Sequence, residues 1–341
     1  MRPGDVVGGR FVIERFVCSG GMGSVHRARD EATGAAVALK VLRGAAAAGD
    51  EERRFAREAA TLAELDHPGI VRYVAHGGAA EGDAYLAMEW IEGETLSARL
   101  ARGPLSVDDT LALGFRMATA LGAAHARGVV HRDLKPGNVM LPDGGLGETK
   151  LVDFGLAAFS QAGRTTLSGA LLGTPAYMAP ERARGERALD PRVDVFALGA
   201  ILHECLTGKP AFEGAHVMAV LARIVFDEVP RLRDLGCAVP PPLDALIAAM
   251  LAKDPRARPA DGGAVAAALA VLAALAGEPP RSGPLSRSPS SRGITRAERR
   301  VASILLGRGP DGAARRACPR RGRWRRRRRA RRPPRHAPSP R

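Results

Sequence analysis

Cysteine is scarce here and follows no recognisable pattern. The four cysteines (Cys18, Cys205, Cys237 and Cys318) are scattered with no C-x-x-C spacing, which argues against a zinc site or a disulfide framework and suits a reducing compartment. Long apolar runs are missing too. The nearest approach, Ala264 to Ala276, is thirteen residues of mostly alanine, short of the roughly 18 that a membrane helix needs, and it reads as a buried helix. The N-terminal MRPGDVVGGR lacks the apolar core of a secretory signal, and no internal repeat is visible. Together these absences predict a soluble, cytoplasmic protein with no membrane partner.

Lysine is nearly absent as well: 5 residues against 46 arginines, the signature of a GC-rich gene. The net charge of +15 is unevenly distributed. Residues 1–280 hold 30 Lys+Arg and 34 Asp+Glu, a balance of −4, whereas residues 281–341 hold 21 arginines and 2 acids, a balance of +19. Basic character therefore belongs to the tail and says nothing of the body's surface. Residues 278–341, rich in Arg, Pro, Ser, Gly and Ala, bury too little apolar surface to fold alone and are expected to be disordered. Two readings of this tail compete. Arg325 to Arg329 would attract a nucleic-acid backbone, with Trp324 the one residue able to stack on a base. Alternatively, the less biased, helix-like Ile294 to Leu306 begins a further domain and the frame is lost near Gly307, since GC-rich DNA read out of frame yields Arg, Pro, Ala and Gly. The second reading carries more weight.

The remaining 45% apolar chain suits one large domain or two ordinary ones. Strands are expected at Phe11–Ile13, Val25–Ala28, Ala36–Leu42, Ile70–Val74 and Tyr85–Met88, with a helix from Asp50 to Leu65 stopped by His67-Pro68-Gly69. From Thr95 the pattern turns helical. Ser106-x-x-Asp109 caps a helix with Val107, Leu111, Phe115 and Ala118 on one face. Another starts at Asp190-Pro191 and stops at Gly208-Lys209-Pro210; more are expected at 214–226, 242–251 and 260–276.

The chemistry concentrates in His131-Arg132-Asp133-Leu134-Lys135-Pro136-Gly137-Asn138, followed fifteen residues after Asn138 by Asp153-Phe154-Gly155. Asp133 can accept a proton from a hydroxyl, Lys135 adds a positive charge, and Asn138 and Asp153 offer hard oxygens for a partly hydrated cation. This run at this distance resembles the catalytic loop and metal-binding signature of protein kinases. Lys135, with Gly173 to Glu181 (GTPAYMAPE), is similar to the serine/threonine members; Ser19-Gly20-Gly21-Met22-Gly23-Ser24-Val25 is similar to the phosphate-covering loop in its bacterial form, with Cys18 where the first glycine stands; and Val37-Ala38-Leu39-Lys40 is similar to the V-A-I-K strand. The resemblance covers residues 10–277 and implies an α+β, bilobal protein kinase fold. It implies a β-rich N-lobe with one helix (10–88), a hinge (89–93) and a larger helical C-lobe (94–277).

It further implies a bacterial, eukaryotic-like serine/threonine protein kinase that transfers the ATP γ-phosphate in intracellular signalling. Asp133 and Lys135 would be catalytic, and Asn138 and Asp153 would hold Mg²⁺, with Mn²⁺ a substitute. Val17, Cys18, Ser19, Gly20, Gly21, Met22, Gly23, Val25, Ala38, Lys40, Glu58, Met88, Glu89, Ile91 and Met140 would surround ATP. In this scheme Lys40 touches the phosphates and pairs with Glu58 (Glu64 is the alternative), Leu62 packs toward Phe154 and His131, and main-chain groups of Glu89 and Ile91 read the adenine. Thr174 bonds Asp133 and Lys135, Glu181 pairs with Arg258, and Asp194 braces the catalytic loop. Thr165, Thr166 and Ser168 are candidate autophosphorylation sites that Arg132 would bind, with a homodimer serving transfer in trans. Protein substrates complete the partners. Cys18 is the one argument for a rival reading, a partner-binding scaffold without turnover.

Overall fold

The computed structural model describes residues 1–20, 23–42, 50–79, 83–143, 145–154, 175–186 and 190–275. Alternating burial builds the first layer: Phe11 and Ile13 of β2 (Phe11–Gly20) cover Ala28 of β3 (Gly23–Asp30) and Val37 and Leu39 of β4 (Ala36–Leu42). With β1 (Val6–Val7), β5 (Tyr73–Gly78) and β6 (Ala84–Glu89) they form an antiparallel sheet of order β1-β2-β3-β4-β6-β5. Helix α1 (Asp50–Ala63) lays Phe55 and Ala59 against Leu42, Leu86 and Met88.

Two strand expectations need correction. The strand beginning at Phe11 runs on to Gly20, carried past two β-bulges. The strand expected at 70–74 starts instead at Tyr73, because residues 70–72 are a crossing between two sheets. The Val71 N–H donates to the Leu151 carbonyl at 3.0 Å, while the Arg72 carbonyl accepts from the Glu89 N–H at 2.9 Å.

The expected helical remainder also holds a small sheet, β7 (Gly93–Thr95), β8 (Val139–Pro142) and β9 (Lys150–Leu151). Strands of three, four and two residues are too short to show alternation in the sequence. Around it lie α2 (Leu96–Leu100), α3 (Val107–His125), α4 (Pro180–Ala183), α5 (Arg192–Thr207), α6 (Val217–Phe226), α7 (Pro241–Met250) and α8 (Gly262–Leu275). The Ser106 hydroxyl caps α3 by accepting the Asp109 N–H at 3.1 Å, an arrangement worth about 1 kcal/mol. Gly208, at φ +72°, ends α5 as a left-handed cap. Helix α5 is buried continuously from Val193 to Leu202, Asp194 being the one charged side chain in that span, as befits the centre of the lobe.

Helix α8 crosses α3 at a glycine contact: a Cβ on Gly262 would sit 2.5 Å from the Gly122 nitrogen. This packing bears on the membrane question. Counted from the preceding turn, Pro255–Leu275 is long and apolar enough to cross a membrane, which corrects the expectation that no stretch reaches that length. Its regular helix is only 14 residues, about 21 Å at 1.5 Å per residue, and Val265, Ala268, Leu269 and Leu272 are buried in the core of the lobe.

One buried group on α5 makes stability depend on pH. His203 is buried, and burial holds its pKa below the usual value, with the Lys209 backbone opposing the shift only in part. The unfolded chain then binds the proton that the folded one refuses, so stability is complete above about pH 6.5 and is lost as pH falls toward the folded-state pKa. His26, His67, His76 and His131 shift the same way, each chiefly by burial. The melting temperature is expected to drop between pH 7.5 and 5.5, with His203→Leu recovering part of the drop. An equal drop in both proteins would refute the assignment to His203.

Candidate active site

The segment 131–138 follows α3 and ends in a one-turn 3-10 helix, Pro136–Asn138, that leads into β8. Its anchor is Asp194 on α5. The buried carboxylate accepts the His131 N–H at 2.6 Å on Oδ2, the Arg132 N–H at 2.9 Å on Oδ1, and His125 Nε2–H at 3.0 Å. Burial alone would raise the Asp194 pKa, but the His125 hydrogen bond and the backbone donor of His131 bring it below its usual value. Asp194 stays ionised and braces the loop, as expected from the sequence. The brace holds Arg132 at φ +67°, a left-handed conformation; Asp153 stands at φ +66°. Such conformations cost about 1–3 kcal/mol each and persist where surrounding bonds over-determine them.

His131 is fully buried. Its Nε2 donates to the Val152 carbonyl at 2.9 Å and its Nδ1 accepts the Asp133 N–H at 3.3 Å, which fixes the neutral ring, and burial lowers its pKa accordingly. The ring lies 4.5 Å from that of Phe154. Leu62 packs against the same core, and with Leu65, Met88, Asp153 and Phe154 it lines one cavity, in line with the expected coupling of α1 to Asp153.

The polar residues form two groups. Lys135 Nζ lies 2.7 Å from Asp133 Oδ2, and the Asn138 amide donates to the same oxygen at 3.1 Å and to the Asp133 carbonyl at 2.8 Å. In the other, the buried Lys40 places its Nζ 2.8 Å from Asp153 Oδ2. Lys40 thus pairs with Asp153; Glu58 belongs to α1, and its side chain lies outside the described residues. Asn138 immediately precedes β8 and Asp153 follows the adjoining β9, for the Val152 N–H donates to the Asn138 carbonyl at 3.0 Å and Val139 pairs with Leu151.

In the first sheet, Val25 pairs with Lys40 and Ala38 with Met88, so these four side chains share one face. Gly20 ends β2 and pairs with Gly23, which begins β3; Gly21 and Met22 lie outside the described residues. Gly23 cannot be replaced without a shift, because its φ is +151° and a Cβ would fall 1.8 Å from the Val41 carbonyl oxygen. Cys18 pairs with Val25 inside β2 and has no positive φ, so the backbone there does not demand glycine. Val17, Cys18 and Ser19 are exposed. Met140 pairs with Thr95 and Lys150, and Glu89 and Ile91 are half-buried where β6 leads into β7. Thr165, Thr166, Ser168 and Thr174 lie outside the described residues.

Sequence reasoning missed the bracing role of Glu89, which it had named only for its main chain, and missed Arg182 and His125 altogether. Glu89 Oε1 accepts the Arg72 N–H at 3.0 Å and meets Lys150 Nζ at 2.5 Å, tying the interlobe segment to both sheets. Arg182, half-buried and with its pKa lowered chiefly by desolvation, donates to the Arg132 carbonyl. His125 donates to Asp194 and accepts the Gly262 N–H at 3.0 Å. Arg182 and His125 belong to no motif picked out in the sequence, so nothing there marked them as braces. By contrast, Glu181 and Arg258 do pair as expected, through two bonds of 2.7 and 2.9 Å.

Among the described residues no group of three or more His, Cys, Asp or Glu side chains could hold a metal alone. Asn138 and Asp153 are a two-oxygen set that suits a cation completing its shell with water and phosphate.

Comparison with known proteins agrees with this geometry. A family model described as Protein kinase domain matches residues 11–270. The DNA damage-responsive serine/threonine-protein kinase RqkA of Deinococcus radiodurans is 42% identical over 283 residues, 81% of this chain and 41% of RqkA. Serine/threonine-protein kinase PknA of Mycobacterium tuberculosis is 37% identical over 329 residues, 93% of this chain and 74% of PknA. The crystal structure of the Mycobacterium tuberculosis PknI kinase domain superposes with a TM-score of 0.61 at 29% identity, covering 79% of this chain and 98% of that one. The chain spans less than half the length of RqkA.

Proposed function

The chain belongs to the protein kinase family, with a catalytic domain of the bacterial serine/threonine kind, and from that premise we propose that it phosphorylates serine and threonine hydroxyls of other proteins and that its residues divide the work as follows. The family draws on ATP and a divalent cation. Asp133 orients the acceptor hydroxyl; its Oδ2 is occupied by Lys135 and Asn138, and its Oδ1 takes the proton. Lys135 balances charge on the γ-phosphate, and Lys40 holds the α- and β-phosphates. Val25, Ala38, Met88 and Met140 enclose the adenine, while main-chain groups of Glu89 and Ile91 read its edge. Phosphoryl transfer needs this positioning and charge balance more than covalent participation by the enzyme.

Asn138 and Asp153 would hold the cation, which we take to be Mg²⁺, with Mn²⁺ as substitute. Bound there, it neutralises phosphate charge. The observation that carries the reading is the pairing of Lys40 with Asp153, whose chain neighbour Val152 bonds Asn138 of the Asp133, Lys135 and Asn138 group.

Autophosphorylation at Thr165, Thr166 or Ser168 is part of the proposal, in trans within a homodimer. Arg132 supports it, since its Nε is buried with no partner among the described residues. The protein is proposed to work in the cytoplasm without a membrane partner, and the arginine-rich tail is given no nucleic-acid role.

The purified protein incubated with radiolabelled ATP and generic acceptor proteins should label serine and threonine in Mg²⁺ or Mn²⁺, with no label in chelator. Mass spectrometry should find phosphate within residues 160–175. Label confined to tyrosine, or none with either metal, would overturn the reading.

A further inference from the structure

We propose that Trp90, Arg15 and Arg27 form a clamp that fastens strands β2 and β3 to the segment joining the lobes and so sets the affinity for ATP. The inference rests on reading Glu89 and Ile91 as the residues that face the adenine. It begins with an unfavourable pair: Arg15 and Arg27 are direct cross-strand partners, two like charges side by side on one face of the sheet. A β-bulge with Glu14 as its extra residue creates this pairing, for Ile13 lies opposite Ala28 and Arg15 opposite Arg27. Arg27 is also the partner of Ala38, next to the Val25–Lys40 pair, so both arginines lie on the face of the sheet that carries Val25, Ala38 and Lys40.

What compensates the repulsion comes from the segment between the lobes. The Arg15 guanidinium lies 5.2 Å, and that of Arg27 5.5 Å, from the centre of the Trp90 ring. Both distances are within cation–π range. The indole N–H donates to Glu92 Oε1 at 2.7 Å, and that oxygen is 3.8 Å from the Arg27 guanidinium. Glu14 adds a second carboxylate to Arg27. Trp90 is thus held by its own neighbour Glu92 and presents its ring to two strands at once. Glu89 and Ile91 flank it in sequence, so an ordered Trp90 orders the backbone groups that meet the base. The clamp touches neither phosphate nor acceptor, which makes its members positioning residues with an effect on ATP binding and none on the chemical step.

The test uses the full chain with Trp324→Phe, leaving Trp90 as the sole tryptophan. Relative to that protein, Trp90→Ala and the double substitution Arg15→Ala/Arg27→Ala are each expected to raise the KM for ATP about fivefold, the scale of two partly exposed cation–π contacts. The kcat and the acceptor KM should stay within about twofold, and Trp90→Phe, which keeps an aromatic face, should recover most of the ATP affinity. Without nucleotide, the double substitution should make Trp90 more accessible to acrylamide quenching. Unchanged quenching, or an ATP KM unchanged by Trp90→Ala, overturns the clamp. A starting protein with no ATP turnover would overturn the kinase reading instead, and the quenching result would then decide the clamp alone.

Discussion

Asp133→Asn is expected to lower kcat by about a thousandfold, within the 10²–10⁴ range that a positioned proton acceptor supplies. The KM for ATP should change by no more than about threefold, because in the proposed arrangement the nucleotide is held by other residues. The substitution is clean for a structural reason. Lys135 and Asn138 both donate to Oδ2, so an amide whose oxygen takes that position keeps both bonds and places its NH₂ where Oδ1 was. His131, Asp194 and the strained Arg132 backbone are untouched. Initial rates with radiolabelled ATP, beside a thermal melt matching that of the unsubstituted protein, make the measurement. A kcat within tenfold of the original, with the melt unchanged, would remove Asp133 from the role of proton acceptor.

The second large effect is on stability. Arg258 spends all five of its N–H donors inside the C-lobe: on both Glu181 oxygens and on the carbonyls of Ala252, Arg192 and Lys253. Its planar face lies 4.9 Å from the Phe196 ring centre, and both members of the ion pair are buried. Arg258→Ala would leave the Glu181 carboxylate buried without a counter-charge, and breaking such a pair costs about 3–5 kcal/mol. At about 2–4 °C per kcal/mol for a domain of this size, the melting temperature should fall by roughly 10 °C. Arg258→Lys should fall in between, since an ammonium keeps the charge but cannot reach five acceptors in one plane. Replacing both partners with methionine should restore much of the loss, because no unpaired charge remains. A shift below about 3 °C for Arg258→Ala would show that water or a neighbouring group takes over the carboxylate.

How much of this was legible in the sequence depends on how each part is encoded. Residues proposed to meet phosphate or hydroxyl lie in short runs of fixed spacing, so 131–138, Asp153 and Lys40 could be picked out through their resemblance to known motifs. Helices came through well because capping and period are local: Ser106 caps α3, and Gly208 ends α5. The two β-bulges of β2 and the crossing at 70–72 were not legible, since both are settled by which distant carbonyl claims an N–H. The bracing set was hidden for the same reason. His125 meets Asp194 across 69 positions, and Arg182 meets Arg132 across 50. Lys40 and Asp153 show the limit from the other side: both were named, but their direct contact follows from the folded arrangement of β4 and β9 and not from any spacing.

The contact of His125 with the start of α8 reaches beyond packing. The Gly262 N–H occupies Nδ1, which leaves the ring proton on Nε2, and that N–H donates to Asp194 while the carboxylate's two oxygens hold the backbone of His131 and Arg132. The final helix therefore selects a tautomer at one remove from the reacting groups. A fragment cut before residue 262 would keep every motif residue yet let that ring choose either protonation pattern, so the shortest working kinase must include a segment that carries no chemistry of its own.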